Sequence, residues 1–141
     1  MTEVKLSKDY GFMYENFIVS SQHKLILLLE QTDNVIDTLQ FDSLIYKYGY
    51  PNDEVSHPLS EYGLGYYGLF QVANSPWVVE LRDNNRQHHR HIDGSFDKYK
   101  HYVAKFKDVT VEVICTNMKE IQLTKSELLV FLDEQISYLI K

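Results

Sequence analysis

Two runs in the last third of the chain, His101 to Lys107 and Val109 to Thr116, carry period-two faces and are separated by the single residue Asp108. Successive side chains of a strand point to opposite faces, so Tyr102, Ala104 and Phe106 share one face. Val109, Val111, Val113 and Cys115 likewise share one face of the return strand. Runs this close together pair as an antiparallel hairpin. A lone hairpin is only marginally stable in water, so this one commits the chain to further strands and an apolar cover.

Further strands are legible upstream. Asn16 to Ser20 is a short β-type run. Lys24 to Gln31 is apolar enough for helix or buried strand, and periodicity alone does not decide it. The turn formers Thr32-Asp33-Asn34 and the β-rich Val35 to Phe41 that follow favour a hairpin, hence a strand. Ser43 to Tyr50 puts Leu44, Tyr46, Tyr48 and Tyr50 on one face, and Pro51-Asn52-Asp53 ends it. Residues 51–65 read as the longest loop, and Tyr66 to Val72 as a strand. Residues 1–15 are mixed and partly irregular in pattern.

Two helices are expected. Ser75-Pro76 is a helix start: a serine hydroxyl caps free backbone N–H groups, and a proline loses nothing in the first turn. That helix spans about 75–88 with Trp77, Val78 and Leu81 on its apolar face. After the Asp93-Gly94 turn, Ser95 to Lys100 reads as a short helix or coil. Thr124-Lys125-Ser126-Glu127 matches a capping box and opens an amphipathic helix over about 124–140. Its stripe of Leu128, Phe131, Leu132, Ile136, Leu139 and Ile140 is expected to lie across the sheet. The expectation is therefore an α+β fold: one domain over 1–141, an antiparallel sheet of five to seven strands, and both helices on one face.

Charge and cysteine content narrow the function classes. The net charge is −6, which disfavours a general nucleic-acid binder. Residues 82–107 reverse the sign, with seven Lys or Arg against three Asp. A solvated loop and strand edge accounts for this, or a contact patch for an anion or an acidic partner. The single cysteine, Cys115, excludes an internal disulfide and a multi-thiolate zinc site, and its apolar neighbours suit a buried, inert thiol. Met1 to Tyr14 has no apolar core of a secretory signal, and the longest strongly apolar run, Leu25 to Leu29, is far too short for a membrane span. A cytoplasmic protein is expected, with no membrane contact.

Three groups of side chains are candidates for chemistry. His88, His89 and His91, with His101 further on, could ligate a transition metal. Adjacent imidazoles diverge, Arg86 and Arg90 repel a cation, and no His-Glu-x-x-His spacing is present, so no metal and no cofactor is expected. Asp53 and Glu54 with His57 could serve acid–base work, against the plainer reading of a turn whose Asn52 and Asp53 bond their own backbone. The tyrosines Tyr46, Tyr48, Tyr50, Tyr62, Tyr66 and Tyr67 suit a recognition surface or a half-covered sheet face. No glycine-rich phosphate loop and no Gly-x-Ser-x-Gly elbow occurs, and nothing nominates a Ser-His-Asp set.

The string Lys47-Tyr48-Gly49-Tyr50-Pro51-Asn52-Asp53-Glu54, with His57-Pro58-Leu59, Tyr67-Gly68, Val72-Ala73-Asn74-Ser75-Pro76-Trp77 and His101 to Asp108 with Glu112, resembles a set of small bacterial proteins of unknown function. The resemblance covers roughly residues 43–116 and implies a bacterial cytoplasmic protein, with no activity or residue roles attached.

Size, acidity, tyrosine content and the lack of a catalytic motif favour a non-enzymatic protein-binding module. Its most concrete form is an immunity protein that neutralises a bacterial toxin, the partner being a basic toxin domain. The expected binding residues are Asp53, Glu54 and Glu61 with Tyr50, Tyr62, Tyr66 and Tyr67. The alternative is a small enzyme or ligand-binding protein with its pocket between the 51–67 loop and the histidine tract.

Overall fold

A computed structural model describes residues 1–20, 23–49, 67–107 and 109–139. Seven strands form one antiparallel sheet: β1 (Thr2–Glu3), β2 (Asn16–Ser20), β3 (Lys24–Thr32), β4 (Val35–Gly49), β5 (Gly68–Val72), β6 (Lys100–Lys105) and β7 (Thr110–Thr124). Helix α1 (Pro76–Asn85) and a 3₁₀ turn (Asp93–Phe96) separate β5 from β6, and helix α2 (Lys125–Ser137) follows β7. The strand order is β1-β5-β6-β7-β4-β3-β2. Two meanders, β2-β3-β4 and β5-β6-β7, therefore meet at the long β4–β7 pair in the centre.

The expected α+β class, the antiparallel sheet and both helices are present. Lys24 to Thr32 is a strand that pairs Leu25 with Phe41 and Leu27 with Leu39, as the turn between the two runs required. Asp33 takes the left-handed conformation, φ 55°, which a short polar side chain tolerates in so tight a turn. The β6–β7 hairpin sets Tyr102 against Val113 and Ala104 against Val111.

One face of the sheet carries the main core. Leu25, Leu27, Leu39, Phe41, Tyr102, Ala104, Phe106, Val111, Val113 and Cys115 pack together there. Their cover is the N-terminal segment, which lays Tyr10 and Phe12 over them. Phe12 packs against Phe106, the rings tilted by 45° with their centroids 5.2 Å apart. Backbone bonds from Val4 N–H to the Leu69 carbonyl and from Lys107 N–H to the Phe12 carbonyl tie the segment down. Buried Asp37 accepts from Lys8 at 3.0 Å and from Gln122 at 2.9 Å. The irregular opening of the sequence is thus the lid of the core. Cys115 lies fully buried in it, and burial pushes its thiol up to about 12.

The opposite face is built from the alternate residues. Val72, His101, Ile114 and Ile45 form one row across β5, β6, β7 and β4; Phe70, Val103, Glu112 and Lys47 form the next. Helix α1 covers part of this face and buries Trp77.

Three elements differ from the sequence reading. Val35 to Gly49 is one continuous strand with register shifts around Ser43, rather than two. Strand β7 runs on to Thr124, past the expected end at Thr116. The largest correction concerns α2. Its capping box is present, with Thr124 and Glu127 each accepting the other's backbone N–H, but the helix does not lie across the sheet. Only Leu128 is buried; Leu132, Ile136 and Leu139 are exposed. The cause is the connection. Thr124 is both the last residue of β7 and the cap of α2, so there is no loop in which the chain could fold back. The helix leaves the sheet beside the β3–β4 turn, where Lys125 N–H bonds the Asn34 carbonyl.

Candidate functional site

Strand β5 ends at Val72, the chain turns through Ala73 and Asn74, and α1 begins at Pro76. Asn74 is in the left-handed region at φ 51°. This corner places Ser75 as the cap of α1, its Oγ accepting the Val78 N–H at 3.2 Å. The side chain faces β6, where Ser75 Oγ lies 2.7 Å from His101 Nδ1. The other ring nitrogen, Nε2, is 2.9 Å from Glu112 Oε1. An ionised Glu112 carboxylate can only accept, so in the neutral ring Nε2–H donates to it, and Nδ1 then accepts from the Ser75 hydroxyl.

This serine–histidine–carboxylate line is enclosed. Ser75 is 7% exposed and His101 2%, and the Glu112 side chain 16%. The Trp77 indole stands edge-on to the imidazole at 5.4 Å. Above that indole lies the Lys47 ammonium, 4.0 Å from the ring centroid, and Lys47 stands directly opposite Glu112 in the β4–β7 register. Five side chains from four elements thus converge on one point of the sheet's second face.

The histidine tract is a different environment. His88 and His89 are exposed and stack ring on ring at 4.7 Å. His91 bonds Asn85 at 2.8 Å and the Asp93 carboxylate. Arg86 bridges Asp93 at 2.8 Å and Asp83 at 3.2 Å. The Arg86 guanidinium, with the His91 ring second, holds the Asp93 carboxyl well below the usual carboxylate range. Arg82 and Arg86 of the basic segment are thus paired with its own Asp83 and Asp93, and the segment as a whole keeps its positive balance. Among the described residues, no three His, Cys, Asp or Glu side chains group as a metal site would require.

The third feature is α2. Leu128, Phe131 and Gln135 turn toward the body of the protein. On one side of its remaining surface Leu129, Leu132, Ile136 and Leu139 form an exposed stripe, with Leu129 56% and Ile136 59% exposed, while Val130 lies on another side of the helix. Asp133 borders this stripe, Glu127 and Glu134 lie on the side of Val130, and Lys125 is the one basic residue of the helix. No described helix is long and apolar enough to cross a membrane.

Of the residues the sequence nominates for binding, Asp53, Glu54, Glu61, Tyr50, Tyr62 and Tyr66 lie outside the described residues, as does His57. The expected pocket between the 51–67 loop and the histidine tract falls there too. Tyr67 is described, and it packs half-buried against the main core. Tyr46 and Tyr48 share a face with Phe17, at 6.4 and 5.0 Å between rings, and Tyr48 donates to Glu15. The Ser75–His101–Glu112 line escaped the sequence reading because its members are far apart in the chain and each had a plainer role. The alternation did hold a signal: with Tyr102 and Val113 facing the core, His101 and Glu112 fall together on the opposite face. The α2 surface had one as well, since Leu128 to Leu132 are five consecutive apolar residues and no helix can bury all five on one side. A scan against protein-family models and searches of curated proteins and of solved structures found no match for this chain.

Proposed function

We propose that the protein is a protein-binding module whose α2 receives a basic partner domain, most concretely as the neutralising partner of a basic toxin. The observation that carries this reading is the apolar stripe Leu129, Leu132, Ile136 and Leu139 of α2, left open in the single chain and bordered by Asp133. A continuous exposed apolar patch with a polar rim marks an interaction site on a soluble domain. The acidic balance of the helix, Glu127, Asp133 and Glu134 against Lys125, in a chain of net charge −6, favours a basic partner and speeds its approach. Asp53, Glu54 and Glu61 add to the same field as charges in the sequence.

The test is retention of partners from the native host at low salt on immobilised wild type and on the Leu132→Glu, Ile136→Glu double variant. The reading requires a basic protein, identified by mass spectrometry, that is held by wild type and not by the variant. Repurified, that protein must bind wild type with an association rate that falls as salt rises. Retention of no protein in an α2-dependent way, or of an acidic partner, overturns it.

A further inference from the structure

We propose that Ser75, His101 and Glu112 form a serine-nucleophile site that takes small carboxylic esters. The inference is independent of the protein-binding reading and rests on a different face of the molecule.

Three observations meet at Ser75. The first is the hydrogen-bonded line itself, Ser75 Oγ to His101 Nδ1 at 2.7 Å and His101 Nε2 to Glu112 Oε1 at 2.9 Å. These are the contacts that nucleophile, base and orienting carboxylate need. The ring is turned so that Nδ1, rather than Nε2, faces the serine; either nitrogen can take the proton, and the carboxylate partners whichever remains. The second is the corner that carries the serine: strand β5, a tight turn with left-handed Asn74, then α1. A nucleophile on a strand-to-helix turn projects from the backbone at the sheet's end, and Ser75, itself 7% exposed, lies between the exposed flanks Asn74 and Pro76, so the substrate must be small and enter between them. The third is the field at that corner. Ser75 caps a ten-residue helix, and the Val78 amide donating to Oγ stabilises negative charge on that oxygen. Amides of a helix's first turn lack intrahelical partners, and donors of that kind are what an oxyanion requires.

In the first step Ser75 Oγ bonds to the ester carbonyl carbon, the carbonyl π pair moves onto oxygen, and the Oγ proton passes to His101 Nδ1. Glu112 accepts from Nε2–H and balances the imidazolium. Collapse of the tetrahedral adduct breaks the bond to the leaving alcohol, which takes the proton from Nδ1 and leaves an acyl-serine. Water then attacks that ester with His101 as base, releasing the carboxylic acid and restoring the hydroxyl.

The probe is an alkyl fluorophosphonate, which forms an Oγ–P bond to an activated serine and expels fluoride. Folded protein is expected to be labelled on Ser75, located by peptide mass spectrometry, with urea-unfolded protein unlabelled. Ser75→Ala should lose the label. Because Ser75→Ala also removes a helix cap, Glu112→Gln is the deciding variant: it keeps an acceptor for Nε2–H and removes the charge. With its melting temperature close to wild type, its labelling should slow at least about tenfold. Absence of label on folded wild type, label at another residue, or an unchanged rate in folded Glu112→Gln overturns the proposal.

Discussion

The main core and helix α2 are both rich in leucine, yet one buries its apolar residues completely and the other leaves most of them in water. Leu25, Leu27, Leu39 and Phe41 are fully buried because two strands and the N-terminal segment close on them from opposite sides. Leu129, Leu132 and Ile136 stay exposed because β7 passes into α2 without a connecting residue. Composition and helix periodicity are alike consistent with burial in both. What separates them is reach: a helix joined directly to the end of a strand continues outward from the sheet. Burial is thus a property of connection as much as of hydrophobicity.

The comparison can be broken most easily in the core. Phe41→Ala removes a fully buried ring at the heart of the first face and should cost about 3–5 kcal/mol, read from urea unfolding. A loss under about 1 kcal/mol would mean that the core is not where the strand register puts it. Deleting residues 125–141 is the complementary cut. Among the described residues it removes one buried side chain, Leu128, worth about 1.5–3 kcal/mol, so the product should remain folded and unfold cooperatively at a lower temperature. An unfolded or aggregated product would show that α2 belongs to the core after all.

Acid should attack the core's lid before it attacks α2. Burial pushes the Asp37 carboxyl up, but the Lys8 ammonium and the Gln122 amide outweigh it and hold the group below its ordinary 3.8. A carboxyl whose folded value lies below its unfolded one stabilises the fold above that unfolded value, and the contribution is lost as pH falls through the folded one. Wild type should therefore lose stability below about pH 3.8, and Asp37→Asn should show a shallower acid limb in thermal melts. Lys8, raised above 10.5 by the same pair, keeps its side of the contact until strongly alkaline pH. A smaller effect is expected at Tyr10, whose buried hydroxyl has Ser7 near it but makes no well-formed hydrogen bond among the described residues. Tyr10→Phe should be neutral or stabilising by up to about 1 kcal/mol, whereas a clear loss would reveal a partner for that oxygen.

Much of this fold was legible in the sequence, and the residues show why. The faces of β6 and β7 follow from period two, and the starts of both helices follow from Ser75-Pro76 and the Thr124–Glu127 box, since all of these are local. The exposure of α2 is not local. It depends on β7 running unbroken to Thr124, and Asn117 to Leu123 carry too mixed a pattern to announce that. The Ser75–His101–Glu112 line is less local still, because it needs the β5–β6–β7 order and the placement of α1 over His101. Sequence spacing of 26 residues between Ser75 and His101 carries no trace of a 2.7 Å contact.

The urea midpoint of the Leu132→Glu, Ile136→Glu variant tests the central claim, that α2 presents an open apolar surface instead of a core stripe. Exposed positions tolerate charge, so the midpoint should match wild type to within about 0.5 kcal/mol in stability. A drop of several kcal/mol would place both side chains in a packed interior and contradict the account.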